Sequence, residues 1–334
     1  MDYRYLGRSA LKVSPLCLGA MMFGGETDEA TAKRIIDKAF AQGVNFIDTA
    51  DVYRAGKSEE IVGRAIAEHR DAWVVATKFG FHTTRGPNEQ GQSRKWIYQT
   101  VDASLKRLGT DYIDILYFHR ALPDLPLEEG VRAVGDLIRQ GKLRYFGVSN
   151  FRGWRIAEVA RIADQLGIDR PVASEPLYNI VDRTAEVEQL PAAAHYGLGV
   201  VPYSPLARGV LSGKYQVDAP PPPDSRAGRG DKRIQQTEWR PESLAIAQRI
   251  AAHAAERGTT PVAFALAWVL KNRLVSSTIA GPRTEAHWDS YIEALTVQLG
   301  PEDEAFIDGL VPPGHASTAG YTDPQYPIEG RQAL

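Results

Sequence analysis

The strongest constraint on the fold is that eight short apolar segments alternate with eight amphipathic ones along most of the chain. The apolar segments are rich in β-branched and aromatic residues, and they predict strands at 16–18, 44–48, 73–78, 113–119, 145–149, 172–177, 199–203 and 277–280. The amphipathic segments predict helices at 29–42, 59–69, 94–108, 127–140, 155–166, 185–196, 242–257 and 285–295. Repeated strand–helix pairs of this kind are typical of a parallel sheet covered by helices.

Such a pattern fits either an open, doubly wound sheet or a closed barrel. The open sheet that binds dinucleotides normally carries Gly-x-Gly-x-x-Gly after its first strand. The nearest match here, Gly228-Arg229-Gly230, lacks the third glycine and follows no predicted strand. We therefore predict an α/β fold, a (β/α)8 TIM barrel, as a single domain over residues 1–334.

Three further segments complete the predicted architecture. Residues 3–6 and 11–13 flank Gly7-Arg8-Ser9 and predict an N-terminal β-hairpin that closes the barrel floor. Residues 218–233, rich in proline, glycine and charge, predict an exposed loop inserted after strand seven. Residues 311–334 lack a helical period and predict a C-terminal tail.

Glycines and short polar residues predict where the helices end and begin. Glycines that can adopt the left-handed conformation follow five predicted helices, at Gly43, Gly109, Gly141, Gly167 and Gly197. Residues that cap helix N-termini precede three of the predicted helices, at Asp28, Ser58 and Ser93.

Composition excludes several classes of function. The formal charge is -2 and no basic stripe is present, so we expect no nucleic-acid partner. The chain has one cysteine and no histidines at metal-ligand spacing, so we expect neither a disulfide nor a metal site. Neither an apolar signal core at the start nor an 18-residue apolar run occurs, which predicts a cytoplasmic protein without a membrane partner. The sequence is compatible with a monomer or a homo-oligomer.

Four ionisable residues follow neighbouring predicted strands on one face of the barrel. They are Asp48 and Tyr53 after strand two, Lys78 at the end of strand three, and His119 at the end of strand four. A single such residue more often serves a local salt bridge or anchors a loop, but converging groups at barrel strand ends are typical of catalysis.

The chemistry of this set follows from its residue types. A phenol is a poor acid at neutral pH, and we expect Lys78 to lower the pKa of Tyr53. Asp48 would keep Lys78 charged, and His119 would orient a carbonyl oxygen or relay a proton. A tyrosine supported in this way is suited to protonate an oxygen that gains negative charge, as carbonyl reduction requires. No side chain of the set can donate hydride, so a cofactor must supply it.

Several segments resemble the aldo-keto reductase signature, in the right order from about Arg4 to Leu295. They are 45–53 (NFIDTADVY), 58–63 (SEEIVG), 18–21 (LGAM), 147–151 (GVSNF) and 202–206 (PYSPL). The resemblance implies an oxidoreductase that transfers hydride between NADPH or NADP+, with NADH possible, and a small carbonyl or alcohol substrate. It also implies that Tyr53 is the general acid, supported by Asp48, Lys78 and His119.

The same resemblance assigns residues to the cofactor. Gly19 and Met21 would approach the nicotinamide ribose, whose hydroxyl would bond Asp48. Ser149, Asn150 and Glu175 would face the carboxamide, and Tyr203 would stack on the ring. The pyrophosphate would be lined by Ser204, Leu206, Arg208 and Gly209, and the adenosine 2′-phosphate by Gly281, Arg283 and His287. The alternatives to these roles are a core aromatic for Tyr203 and a surface charge for Arg208.

Three residues depart from the usual family pattern. Glu175 stands where many relatives have glutamine; an ionised glutamate only accepts hydrogen bonds and favours the cationic, oxidised cofactor, whereas burial could protonate it and erase that preference. Tyr291 replaces a common asparagine on the last barrel helix, next to the expected adenine. Arg120 follows His119 and is either a solvated loop residue or a feature that selects anionic substrates.

Two other functions stay open. Potassium-channel β subunits resemble the same family, so the chain could be a redox-sensing binding subunit instead of an efficient enzyme. A barrel lyase using Lys78 as a Schiff base is disfavoured, because pairing with Asp48 keeps the amine protonated.

Overall fold

The computed structural model describes residues 1–81, 86–122 and 124–328; the last part of the predicted tail, 329–334, lies outside them. The chain divides into two compact units. The first comprises Met1–Pro176, Glu188–Tyr203 and Arg273–Asp289; the second comprises Leu177–Val187, Ser204–Asn272 and the residues from Ser290 onward. A single domain over 1–334 stays a prediction.

Eight parallel strands in the first unit form the barrel. They are β3 (Leu16–Gly19), β4 (Phe46–Asp48), β5 (Val74–Phe79), β6 (Ile113–Phe118), β7 (Leu143–Ser149), β8 (Ala173–Glu175), β9 (Gly199–Val200) and β10 (Thr278–Ala280). They are ordered β10-β3-β4-β5-β6-β7-β8-β9. Val200 pairs with Val275, and Ile279 N donates to Pro202 O at 2.9 Å, which joins the two ends of the sheet. The predicted (β/α)8 barrel is confirmed.

Helices connect and follow the strands, and the bounds of α3 are those predicted. The helices are α1 (Glu29–Ala41), α2 (Lys57–Ile66), α3 (Arg94–Leu108), α4 (Leu127–Arg139), α5 (Gly153–Leu166), α6 (Gln189–Tyr196), α7 (Lys232–Gln236), α8 (Pro241–Glu256), α9 (Pro261–Lys271), α10 (Glu285–Ile292) and α11 (Pro301–Leu310). The sequence did not predict α7, α9 or α11. Helix α9 is buried from Ala263 to Leu270, so it has no polar face to give a helical period.

The predicted end of the loop 218–233 is wrong, because α7 begins at Lys232 and is capped by the Asp231 carboxylate. Ser58 is a second correction. Helix α2 begins at Lys57, so Ser58 lies inside the helix, and its buried hydroxyl donates to Ala20 O at 2.8 Å. Asp28 and Ser93 are confirmed as N-caps, accepting from the backbone N–H groups of Thr31 and Trp96.

The barrel floor is closed by the predicted hairpin, β1 (Arg4–Tyr5) and β2 (Lys12–Val13). Leu6 and Val13 are fully buried and pack in the core cluster that fills the barrel. Gly7 has a φ of +59°, and a Cβ there would lie 2.4 Å from Gly197 O, so only glycine fits. Among the described residues, the longest apolar helices are still too short to cross a bilayer.

Candidate active site

The four residues predicted from strand ends lie in the first unit. Asp48 ends β4, Lys78 lies one residue before the end of β5, and His119 directly follows β6. Tyr53 follows β4 in a short 3-10 turn, Tyr53–Gly56. Because parallel strands end on the same face of a barrel, this topology brings the four side chains to one place.

Lys78 is the centre of the cluster and is almost fully buried. Its ammonium group contacts the Asp48 carboxylate, donates to Thr49 O at 2.9 Å and lies 3.4 Å from the Tyr53 hydroxyl. Glu175 Oε1 is 3.6 Å away. Burial alone would lower the pKa of Lys78, but Asp48 and Glu175 outweigh it and raise the pKa. Lys78 therefore stays an ammonium ion.

The direction of the pKa of Tyr53 differs from the sequence-based expectation. Burial raises it above its ordinary value, Asp48 and Glu175 add to the rise, and Lys78 only partly opposes them. The expected lowering by Lys78 is present but smaller than the burial and the two carboxyl groups that sequence reasoning left out. Tyr53 is therefore a neutral phenol at physiological pH, with its proton available to donate.

His119 lies beside Tyr53, and their rings meet edge to face with centroids 5.8 Å apart. The Phe81 ring also meets the His119 ring edge to face, with centroids 4.6 Å apart. Burial, with the charges of Lys78 and Arg120, holds the pKa of His119 well below its usual value. The imidazole is therefore neutral and can donate one hydrogen bond to a carbonyl oxygen.

A hydrogen-bond network joins the ends of β6, β7 and β8. Asn150 has a φ of +60°, and its Nδ2 donates to His119 O and to Ser149 Oγ, both at 3.0 Å. Ser149 Oγ donates to Glu175 O at 3.0 Å. Tyr203 donates its hydroxyl to Asn150 Oδ1 at 2.8 Å, so Tyr203 is a strand-end residue and not merely a core aromatic.

The remaining cofactor candidates of the first unit lie at two places. Gly19 and Gly281 are close neighbours, since a Cβ built on Gly19 would lie 3.3 Å from Gly281 Cα. Arg283 precedes α10, and its backbone N donates to His287 Nδ1 at 3.3 Å. Met21 is 36% exposed. A helix N-terminus beside an arginine and a histidine suits an anion.

The second unit holds the predicted pyrophosphate residues, on a short turn after Tyr203. Ser204, Arg208 and Gly209 have positive φ angles of 55°, 52° and 99°, and Leu206 lies between them. Arg208 donates from Nε to Glu238 Oε2 at 2.9 Å, and Glu238 is buried. Arg208 is therefore held in an ion pair and is no free surface charge. Tyr291, in the same unit, is buried.

Two buried carboxyl oxygens are left open at the strand ends. Within residues 1–81, 86–122 and 124–328, neither Asp48 Oδ2 nor Glu175 Oε2 has a hydrogen-bond partner. Buried acceptors usually have partners, so this pair fits a bound group that presents hydroxyl and amide hydrogens, as a nicotinamide riboside does. No group of three potential metal ligands occurs in the same described part of the chain.

Sequence reasoning missed one neighbour of this cluster, Asp51, and left open the surroundings of another, Arg120. Asp51, between Asp48 and Tyr53, is buried, and burial raises its pKa to about 7. Phe81 packs against both His119 and Arg120, and the Arg120 guanidinium lies 4.6 Å from the centre of the Phe81 ring. Arg120 is half-buried and stacked, so it is not simply a solvated loop residue. The second acid in the Asp48–Asp51 segment was the signal available for Asp51.

Comparison with known proteins gives consistent matches over most of the chain. The family model for the aldo/keto reductase family matches residues 15–312. An uncharacterized oxidoreductase, YrpG, of Bacillus subtilis is 37% identical over 96% of this chain and 99% of its own length. A probable voltage-gated potassium channel subunit beta of Arabidopsis thaliana is 39% identical over 89% of this chain and 92% of its own. This chain belongs to the aldo/keto reductase family.

Proposed function

We propose that the protein is an NADPH-dependent oxidoreductase that reduces an aldehyde or ketone to the alcohol, or catalyses the reverse. The observation that carries this proposal is the contact set of Lys78, which holds a buried ammonium 3.4 Å from the Tyr53 hydroxyl while contacting Asp48. A phenol beside a fixed cation is suited to protonate an oxygen on which negative charge develops.

The residues divide the work as follows. Neutral His119 orients the carbonyl oxygen toward Tyr53, which donates its proton, and the positive charge of Lys78 stabilises the phenolate that remains. Asp48 keeps Lys78 charged and in place. The bound nicotinamide supplies the hydride, which no side chain of this set can provide.

The open oxygen of Asp48 would accept from the ribose hydroxyl, the Glu175 carboxyl would face the carboxamide, and Tyr203 would pack on the ring. Ser149 and Asn150 would support that end of the site, with Gly19 and Met21 beside the ribose. Ser204, Leu206, Arg208 and Gly209 would bind the pyrophosphate. We assign the 2′-phosphate to Gly281, Arg283 and His287, because an arginine before a helix N-terminus suits a phosphate dianion.

A second candidate function is a binding subunit that senses the redox state of the cofactor. It is favoured by relatives named as potassium channel β subunits in Arabidopsis thaliana and Oryza sativa. Both functions require the cofactor, so they differ in turnover and not in binding.

The test is a panel of aldehydes, ketones and alcohols assayed in both directions with NADPH, NADH and their oxidised forms. Multiple turnovers with an aromatic aldehyde support the enzyme. Cofactor binding, seen by quenching of tryptophan fluorescence, with no more than one slow turnover would favour the binding subunit. Absence of cofactor binding would overturn both.

A further inference from the structure

Lys78 lies between two buried carboxyl groups, although one would suffice to balance its charge. Asp48, on β4, contacts the ammonium, and Glu175 Oε1, on β8, is 3.6 Å from it. Glu175 is only 3% exposed, and its Oε2 has no partner within the described part of the chain. Asp48 Oδ2 also has no partner there, but Asp48 makes the closer contact with the ammonium group and is therefore the better-paired carboxylate of the two.

The charges of this cluster do not balance if both carboxyl groups are ionised. Glu175 in turn raises the pKa of Tyr53, Tyr117 and Cys17, and burial is the main reason that these three groups stay protonated and uncharged. An unbalanced buried charge is costly, so the cluster favours one proton on its less well-paired carboxyl. Burial accordingly raises the pKa of Glu175 well above its usual value, with Lys78 opposing and Asp48 adding to the rise.

We propose that Glu175 is a proton reservoir for carbonyl reduction, returning a proton to Tyr53 through Lys78. This rests on the function proposed above. The distances form one path, with 3.6 Å from Glu175 Oε1 to Lys78 Nζ and 3.4 Å from Nζ to the Tyr53 hydroxyl. A glutamine at this place would have no proton to give.

The proton steps balance as follows. A bound reduced nicotinamide would supply the hydride for the new C–H bond. The Tyr53 O–H bond breaks as its proton forms the alcohol O–H. A Lys78 N–H bond then breaks to restore the Tyr53 O–H. Rotation of the Glu175 carboxyl presents its protonated oxygen to Nζ, and that O–H breaks to restore the ammonium. The carbonyl is reduced, the cofactor is oxidised, and Glu175 ends as a carboxylate until solvent protonates it.

This arrangement lets two charges appear together. Oxidised nicotinamide is a cation and the reduced form is neutral, so a carboxylate at Glu175 offsets the new positive charge within the same buried region. It follows that binding of NADP+ should expel the Glu175 proton, whereas binding of NADPH should not.

The experiment measures protons released on cofactor binding, without turnover. Calorimetric titrations of NADP+ and NADPH into the intact protein near neutral pH, in buffers of different ionisation enthalpy, give the proton count for each form. We expect NADP+ to release about one more proton than NADPH in wild type. Any proton exchange at the 2′-phosphate is common to both forms and cancels in the difference.

Two variants identify the group. Glu175→Gln should abolish the difference between NADP+ and NADPH. Asp51→Asn should keep the difference. This variant is a matched control because Asp51 is also a buried carboxyl group near the site, and its pKa is raised to about 7. Equal proton release for both cofactor forms in wild type, or a difference that survives Glu175→Gln, would overturn the proposal.

The pH dependence of cofactor affinity is a second test that needs only the wild-type protein, so it can be carried out even if Glu175→Gln does not fold. The affinity for NADP+ relative to NADPH should rise with pH, by up to about tenfold per pH unit, over the range in which Glu175 is protonated in the free protein and ionised in the NADP+ complex. A ratio independent of pH would exclude Glu175 as the reservoir while leaving turnover of an aromatic aldehyde, and so the proposed function, untouched. Failure of both cofactor forms to bind would overturn both.

Discussion

The Tyr203 hydroxyl donates to Asn150 Oδ1 at 2.8 Å and so ties the end of one barrel strand to another. Asn150 in turn donates to His119 O, which fixes the backbone that carries the histidine. Asn150 has a φ of +60°, a conformation that few side chains adopt without local hydrogen bonds. Tyr203 therefore organises the mouth of the barrel through its hydroxyl as well as through its ring.

We expect Tyr203→Phe to weaken cofactor binding several-fold, because it keeps the ring but removes a hydrogen bond worth about 0.5–1.5 kcal/mol. Tyr203→Ala, which also removes the ring, should weaken binding further. Fluorescence titration with NADPH measures both variants. If Tyr203→Phe bound the cofactor as tightly as wild type, the hydroxyl would have no part in ordering the site.

Tyr53→Phe should reduce kcat by roughly 10²–10⁴-fold, the usual contribution of general acid catalysis, while cofactor affinity changes little. The ring can still pack against His119 in this variant, so the loss is confined to the hydroxyl and its contact with Lys78. Single-turnover kinetics with an aromatic aldehyde, beside a cofactor titration, separates the two effects. Retention of most of kcat would show that another group is the acid.

The barrel and the four central residues could be predicted from the sequence because both depend on local patterns. Strand–helix alternation fixes the order of elements, and strand ends on one barrel face bring Asp48, Lys78 and His119 together. Helix α3 has no error in its bounds, because the Ser93 cap and Gly109 mark its two ends.

What the sequence did not predict depends on contacts between distant segments. Ser58 reads as a helix cap by its residue type, yet its hydroxyl bonds to Ala20 O, 38 residues away. The pKa of Tyr53 is raised by its burial and by nearby carboxyl groups such as Glu175, and no local sequence pattern indicates either. Helix α9 was not predicted because it is buried on all sides and so lacks an alternation of polar and apolar residues, although Thr260 and Pro261 mark its start.

Arg283→Ala should weaken NADPH binding and leave NADH binding nearly unchanged. A charge-assisted bond to a phosphate dianion is worth roughly 1.5–3 kcal/mol, or about 10- to 150-fold in affinity. Titration of both reduced cofactors into wild type and variant measures the ratio. Arg273→Ala, at an exposed arginine, is a control for the loss of a positive charge. Equal losses for both cofactors would remove Arg283 from the phosphate site.

Arg120→Ala should affect anionic substrates more than neutral ones. The guanidinium stacks on Phe81 directly beside His119, which places a fixed positive charge near the expected carbonyl. We expect KM for 4-carboxybenzaldehyde to rise by about tenfold relative to KM for benzaldehyde, as for a lost charge-assisted hydrogen bond. Arg120→Lys should restore part of the difference. Parallel changes for both aldehydes would mean that Arg120 serves only to pack Phe81.

Asp51→Asn should stabilise the protein more at alkaline than at acidic pH. Asp51 is buried, accepts from Thr100 Oγ1 at 3.0 Å, and has its pKa raised to about 7, chiefly by burial. An aspartate in the unfolded chain loses its proton near a pKa of about 4. Between these values the folded protein binds more protons than the unfolded chain, so the free energy of unfolding falls as pH rises, and the full cost is present above about 7.

Asparagine cannot ionise and can still accept from Thr100, so the variant should escape this cost. We expect its free energy of unfolding to exceed that of wild type by roughly 2–4 kcal/mol more at about pH 8 than at about pH 4. Urea unfolding at both pH values measures the difference, with Asp218→Asn as a control at an exposed aspartate. The same offset between variant and wild type at both pH values would mean that Asp51 is ionised throughout, and that the open Asp51 Oδ1 is stabilised by a group other than its own proton.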